Sequence, residues 1–223
     1  MNDKTENLTD KVLVHLKDDI LNGEYSPGAK LVMATLKERY DAGGSPLREA
    51  LSQLLAEGLV TTENQKGFRV SAVSLKQLRD IYEARAHLES LLIGLAIDKG
   101  DDLWEAGIVA AAHRLFKYGN IDQLERISIH QWEARHHDFH DALVYGCGSV
   151  VLLEVRKSLY EKAARYRNLW LKENTSRTGA FDANLSEHQE IMEAVMQRDK
   201  ATAQKMTYDH ILVPVSILEK AFL

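Results

Sequence analysis

Apolar residues at helical spacing organise the start of the chain. Leu8, Val12, Leu16 and Ile20 recur every four positions and end at Gly23, which predicts a helix over 8–22. A breaker turn at Glu24 to Gly28 follows, with Pro27-Gly28 at its end. A second helix is predicted over 31–41, and Gly43-Gly44 turns tightly into a third. Ser45 reads as the N-cap of that third helix and Pro46 as its first position. Leu47, Leu51, Leu54 and Leu55 share one side, leaving Arg48 and Ser52 on the other. Gly58 suits a left-handed helix stop. Residues 59–62 and 68–70 are strand-like and flank a polar hairpin tip at 64–67. A helix with a polar, basic face backed by a small hairpin is the build of a winged helix-turn-helix reader of DNA. From Ser74 onward strand signals vanish. Helical patterns run over 75–99, 101–118, 121–146, 149–173, 181–198 and 199–222, and Pro214 is expected to kink or interrupt the last. The expected fold is mainly α: a winged helix-turn-helix domain over 1–72 and an all-helical bundle over 73–223.

Composition narrows this picture little. At 223 residues, 45% hydrophobic and 27% charged, the chain supports real cores. No apolar run reaches the length of a membrane span, the polar N-terminus is no signal peptide, and Cys147 is the only cysteine. A cytoplasmic protein without a membrane partner is expected. Charge argues mildly against DNA. The net value is −5, and residues 1–72 hold nine Lys and Arg against eleven Asp and Glu. Contact must therefore come from a local patch, because charges beyond a screening length of about 8–10 Å do not cancel it. The candidate contacts are Lys37, Ser45, Arg48 and Ser52 on the helices and Gln65, Lys66 and Gly67 at the hairpin tip, with Arg39 and Arg69 nearby.

Histidine carries the clearest chemistry. Eight of the nine histidines lie between residues 87 and 210. His136 and His140 are one helical turn apart, on the stripe of Ile129, Trp132, Phe139 and Leu143, whereas His137 falls on the polar side. His188 shares a stripe with Leu185, Met192 and Val195, and His210 one with Ala203, Met206, Val213 and Ile217. Four imidazoles from three helices thus face one core. Burying them unpaired is costly, and a shared metal ion satisfies them. One divalent transition metal per chain is expected, with Zn or Ni the leading ions. The bland alternative is a set of separate histidines bonded to their neighbours. The spacing superficially matches the zinc-peptidase motif, but His137 stands where that motif needs a glutamate base, so a structural or ligand-holding ion is favoured.

Cations also fall on core-facing positions. Arg85 interrupts the stripe of Leu78, Ile81, Leu88, Leu92 and Leu95. It either pairs with Glu89 one turn on or awaits a small carboxylate, which a guanidinium matches in shape. Arg165, Arg167 and Tyr166, with Tyr160 and Trp170, form a second cluster suited to an anion.

Together these residues carry a family resemblance. Residues 20–31 (ILNGEYSPGAKL), 46–51 (PLREAL), 57–60 (EGLV) and 66–70 (KGFRV), then 84–89 (ARAHLE), Phe139-His140, Glu187-His188 and His210, resemble GntR-superfamily transcriptional regulators of the FadR type with an FCD effector domain. The likeness covers nearly the whole chain. It implies a homodimer on near-palindromic double-stranded operator DNA. It also implies a metal held by His140, His188 and His210, and a small carboxylate effector, glutarate or a related dicarboxylate, that changes DNA affinity, most simply for a repressor. Two departures stand out. His136 occupies a position where the family usually has Asp, and Gly44 one where it often has Arg. The competing reading is a metal-dependent enzyme acting on a small carboxylate, with the N-terminal domain as an interaction module.

Overall fold

The computed structural model describes residues 7–62, 67–117, 126–174 and 180–221. Within them the chain forms two compact units: Met1–Gln77 together with Ala164–Asn168, and Leu78–Ala163 together with Leu169–Leu223. The division falls a few residues after the boundary expected at 72/73.

The first unit contains α1 (Leu8–Leu21), β1 (Lys30–Leu31), α2 (Met33–Tyr40), α3 (Gly44–Ala56), β2 (Val60–Thr62) and β3 (Phe68–Val70). Asn7 caps α1 by accepting from the Thr9 amide. The three strands form an antiparallel sheet in the order β1-β3-β2, with Lys30 opposite Arg69 and Val60 opposite Val70. Strand β1 departs from the sequence reading, which placed Leu31 in the second helix. Val32 is extended (φ −83°, ψ 118°), so Leu31 pairs with Phe68 and the helix starts at Met33. Helix α3 also starts earlier than expected. Gly43, not Ser45, is its N-cap, and no side chain caps it. Gly58 adopts φ +74°, the left-handed stop its position called for.

The core of this unit gathers Val12, Leu16 and Ile20 of α1 and Leu36 of α2 around Leu47, Ala50, Leu51 and Leu54 of α3. Leu47, Leu51 and Leu54 are completely buried, and each contributes about 1.5–3 kcal/mol of burial. Leu55, expected on the same stripe, is exposed, and Ala50 takes its place. That packing fixes which side of α3 faces water. A polar clamp joins α1 to α2: Asp19 accepts from Arg39 Nε at 2.8 Å and from the Tyr40 hydroxyl at 2.6 Å. Burial alone pushes the Asp19 carboxyl up, but the Arg39 and Tyr40 hydrogen bonds outweigh it and hold the group below its ordinary value. A depressed carboxylate stabilises the fold above its unfolded pKa and loses that contribution as pH falls through the folded value. Asp19→Asn should therefore cost about 1 kcal/mol at neutral pH, the gap to wild type closing as pH falls through and below the usual carboxylate range. Denaturant midpoints measured across that range check this.

The second unit holds α4 (Leu75–Lys99, from Leu78), α5 (Asp102–Phe116), α6 (Arg126–Tyr145), most of α7 (Val150–Asn174), α8 (Ala180–Met196) and α9 (Lys200–Ala221), with no strand among its described residues. Asp101 caps α5 by accepting from the Trp104 amide. Pro214 sits inside α9 without ending it. Ile211 and Leu218 on either side of it are 5% and 0% exposed, and this continuing apolar stripe offsets the lost backbone bond. No helix among the described residues is long and apolar enough to cross a membrane.

Candidate metal centre and DNA-reading face

Packing places the four inward histidines on α6, α8 and α9. Trp132, Phe139 and Leu143 of α6 are buried, and the same face carries His136 and His140. On α8, Ile191 and Val195 bury the side that carries His188, and on α9 Ala203, Thr207 and Ile211 bury the side that carries His210. His188 is fully buried, and His140 and His210 nearly so. The Nε2 atom of His140 lies 3.2 Å from that of His136 and 3.0 Å from that of His188. The His210 ring centroid is 4.4 Å from that of His188. One nitrogen from each of the four falls within 4.8 Å of the others.

This arrangement fits a metal ion on its own chemistry. A tetrahedral ion with nitrogen at about 2.0–2.1 Å sets neighbouring nitrogens about 3.3 Å apart, close to the two short separations. Burial, with the neighbouring imidazoles and the charge of Arg156, depresses the His140 pKa far below its usual value; burial and His210 do the same to His188. Both are neutral at physiological pH, with lone pairs available. The outward ring nitrogens are braced. His188 Nδ1 donates to the Asn184 carbonyl at 2.5 Å, and His210 Nδ1 donates to Glu187 Oε2 at 2.7 Å. These bonds fix tautomers that leave Nε2 unprotonated and pointing inward. Trp132 stacks on His136, with centroids 4.6 Å apart. A cavity of about 220 Å³ lined by Glu187, Ile191, Met206, Asp209 and Val213 reaches His210.

A buried ionic network stands on α4, α6 and α7. Arg85 and Glu89 are 8% and 2% exposed, and their closest atoms are 3.8 Å apart, too long for a hydrogen bond. Glu89 instead accepts from Arg156 Nε at 2.8 Å, and Arg156 Nη1 donates to Asp141. Burial works against the Arg156 charge, but Glu89 and Asp141 more than restore it. Tyr82 and Tyr160 flank the Arg85 guanidinium at 5.4 and 5.5 Å. Arg156 was missed in the sequence. It falls on the same α7 face as Leu152, Tyr160 and Ala163, one turn apart, so the stripe test that found Arg85 finds it too.

The other expected anion-binding residues are placed differently. The Tyr166 hydroxyl donates to the Ser74 carbonyl and lies 3.1 Å from Gln77 Oε1, inside the first unit, and Arg167 is half-buried. Both stand on the Ala164–Asn168 stretch of α7, which groups with the first unit. The Arg165 side chain lies outside the described residues, as do Gln65 and Lys66.

On the first unit, Lys37, Ser45, Arg48 and Ser52 are all exposed. Ser52 donates to the Arg48 carbonyl at 2.8 Å. Gly67 adopts φ +104° at the start of β3. Arg69 is tied back, with Nη1 donating to the Gly28 carbonyl at 3.1 Å.

Known proteins bear on both units. The family described as bacterial regulatory proteins, gntR family, matches residues 8–70, and the FCD domain matches residues 80–212. The HTH-type transcriptional repressor GlaR of Escherichia coli (strain K12) is 45% identical over 206 residues, covering 92% of this chain and 93% of that protein. The uncharacterized HTH-type transcriptional regulator BphR of Paraburkholderia xenovorans (strain LB400) is 31% identical, covering 96% of this chain and 86% of that protein. In fold, the chain resembles E. coli McbR/YncC with a TM-score of 0.73 at 20% identity, covering 97% of this chain and 99% of that one. These relatives are regulators, and the reading of a metal-dependent enzyme falls away with them. The chain belongs to the gntR family of bacterial regulatory proteins and carries an FCD effector domain, so its partners are operator DNA and a small-molecule effector.

Proposed function

We propose that the protein is a homodimeric repressor whose hold on its operator is set by a small carboxylate bound beside a divalent metal. The observation that carries this reading is the convergence of four imidazoles in the FCD unit of a chain whose other unit exposes the polar face of α3. His136, His140, His188 and His210 hold one ion, Zn or Ni by the preference of imidazole donors. An ion held there with more than four ligands would supply a Lewis-acidic contact for a carboxylate. Because all four donors are imidazoles, no protein carboxylate among them compensates its charge, which favours an anionic effector. Glutarate and related dicarboxylates are the first compounds to try.

At the other unit, α3 enters a major groove and directs Arg48 to a phosphate or a guanine edge, with Lys37, Ser45 and Ser52 along the same face. Gln65, Lys66 and Gly67 meet the adjacent backbone or minor groove. The support for this is the exposure of that face over a fully buried leucine stripe. In a dimer the two helices read the halves of a near-palindromic site. Effector binding couples to operator affinity by about 1–3 kcal/mol, or 5- to 150-fold.

The test is fluorescence anisotropy on the DNA upstream of the protein's own coding sequence. Arg48→Ala should weaken binding by about 1–3 kcal/mol if Arg48 reads a base. A metal-loaded wild type should change affinity when glutarate is added. An unchanged affinity in Arg48→Ala removes that side chain from the interface. A response to metal titration but to no carboxylate replaces the organic effector with the metal itself.

A further inference from the structure

The four inward histidines offer an ion nothing but nitrogen. Among the described residues no aspartate, glutamate or cysteine completes the set. Two acids do approach the rings, but at their outward nitrogens. Glu187 accepts from Nδ1 of His210 at 2.7 Å, and Glu133 Oε2 lies 3.8 Å from Nδ1 of His136. His136 is the least buried of the four, so its place is the one an oxygen donor or water could most easily take. Trp132 guards it. The indole is completely buried and lies 16° from parallel with the His136 ring, their centroids 4.6 Å apart. The same ring meets His140 and His188 edge-on, at 4.6 and 4.7 Å between centroids. Packed on one face and along its edges, it has no room to swing out and let a water replace it. Cations divide by donor. Magnesium, calcium and manganese take oxygen donors, and magnesium keeps several waters, whereas imidazole suits nickel, copper and zinc. Manganese also stands at the weak end of the order in which a given site binds divalent transition ions.

We infer that His136 is the ligand that decides which ion the centre accepts, and that Trp132 is its positioning residue. Together they close the donor set on nitrogen, so that the protein takes zinc or nickel and rejects manganese. The inference rests on the metal centre as read above and adds to it the pair of residues that chooses the ion. An aspartate at 136 would stand on the same face of α6 and present oxygen to the ion, which is the change that opens the site to harder cations.

The test uses the full-length protein, stripped by chelator and then given zinc or manganese alone. Zinc is followed by competition with a chromogenic chelator and free manganese by its electron paramagnetic resonance signal. Wild type should bind zinc and leave the manganese signal unchanged. His136→Asp should keep zinc yet narrow the preference for it about 10- to 100-fold by admitting manganese, the range over which altered surroundings move metal affinity. Trp132→Ala, with all four histidines present, should narrow it as well, and Trp132→Phe, which restores a ring against His136, should return it toward the wild-type value. An indole that serves packing alone predicts a lower melting temperature in Trp132→Ala with the preference intact, and that result overturns its positioning role. Should the variants fail to fold, the wild type still decides: zinc and manganese held equally well overturn the inference. A His136→Asp preference equal to that of the wild type overturns it too, and either result leaves the metal centre standing. Wild-type protein that binds neither ion removes the centre and the inference together.

Discussion

Glu89→Ala is expected to destabilise the second unit by about 3–5 kcal/mol, measured as a lowered denaturant midpoint in urea. Glu89 is 2% exposed and is the only acid within 4 Å of Arg85 among the described residues, and one of two that bond Arg156. Removing it leaves two buried guanidiniums with one remaining anion, Asp141, whose side chain is about half exposed. Repulsion and lost desolvation compensation then act together, which is why cutting one member of a buried pair costs far more than the pair contributes. A loss of this size is a large fraction of the 5–15 kcal/mol that holds a typical domain folded. Pairing Glu89→Ala with Arg156→Met should recover much of it, because the second change removes one of the stranded charges. If Glu89→Ala alone stays within about 1 kcal/mol of wild type, the network is hydrated and the buried-charge argument fails.

How much of this was legible beforehand depends on whether a feature is written in one helix or in the meeting of several. Helical periodicity placed the six helices from α4 to α9 to within two residues at their ends, the expected stretch 121–125 lying outside the described residues, because each helix has a buried stripe. It also put His136, His140, His188 and His210 on inward faces, since a face is a property of one helix. Strand β1 was not legible. Two residues show no alternation, and Lys30 and Leu31 are extended only because β3 offers them partners forty residues away. The start of α3 also differs: Ser45-Pro46 has the right local chemistry for a cap, but Gly43 is already extended at the N-cap and the helix begins two residues sooner. At the candidate site, which residues associate is a matter of how the helices meet. Arg85, Arg167 and Tyr166 are all suited to anions, yet sequence gives no way to know that α7 passes from one unit to the other at Ala164. Arg156 stands on a stripe of α7 readable from one helix alone, with Leu152, Tyr160 and Ala163.

The same distinction bears on what the histidine cluster does for the fold, and His188→Ala separates the possibilities. His188 is fully buried and its Nε2 lies 3.0 Å from that of His140, so its removal opens a small cavity and takes away one donor. If an ion is held there, wild-type protein should yield about one divalent metal per chain by elemental analysis, and a strong chelator should lower its unfolding free energy. An ion present at 100 times its dissociation constant adds about 2.7 kcal/mol, which chelation removes. His188→Ala should lose the metal, unfold more easily than the wild type, and show no further change when chelator is added. That last comparison isolates the ion from the cavity, because the cavity persists whether or not a metal is present. His136→Asp should keep the metal, since a carboxylate on the same helical face is an equally good donor for Zn. If His188→Ala retains its full metal content, or still responds to chelator as the wild type does, the ion sits elsewhere and the cluster is only a hydrogen-bonded group of core histidines.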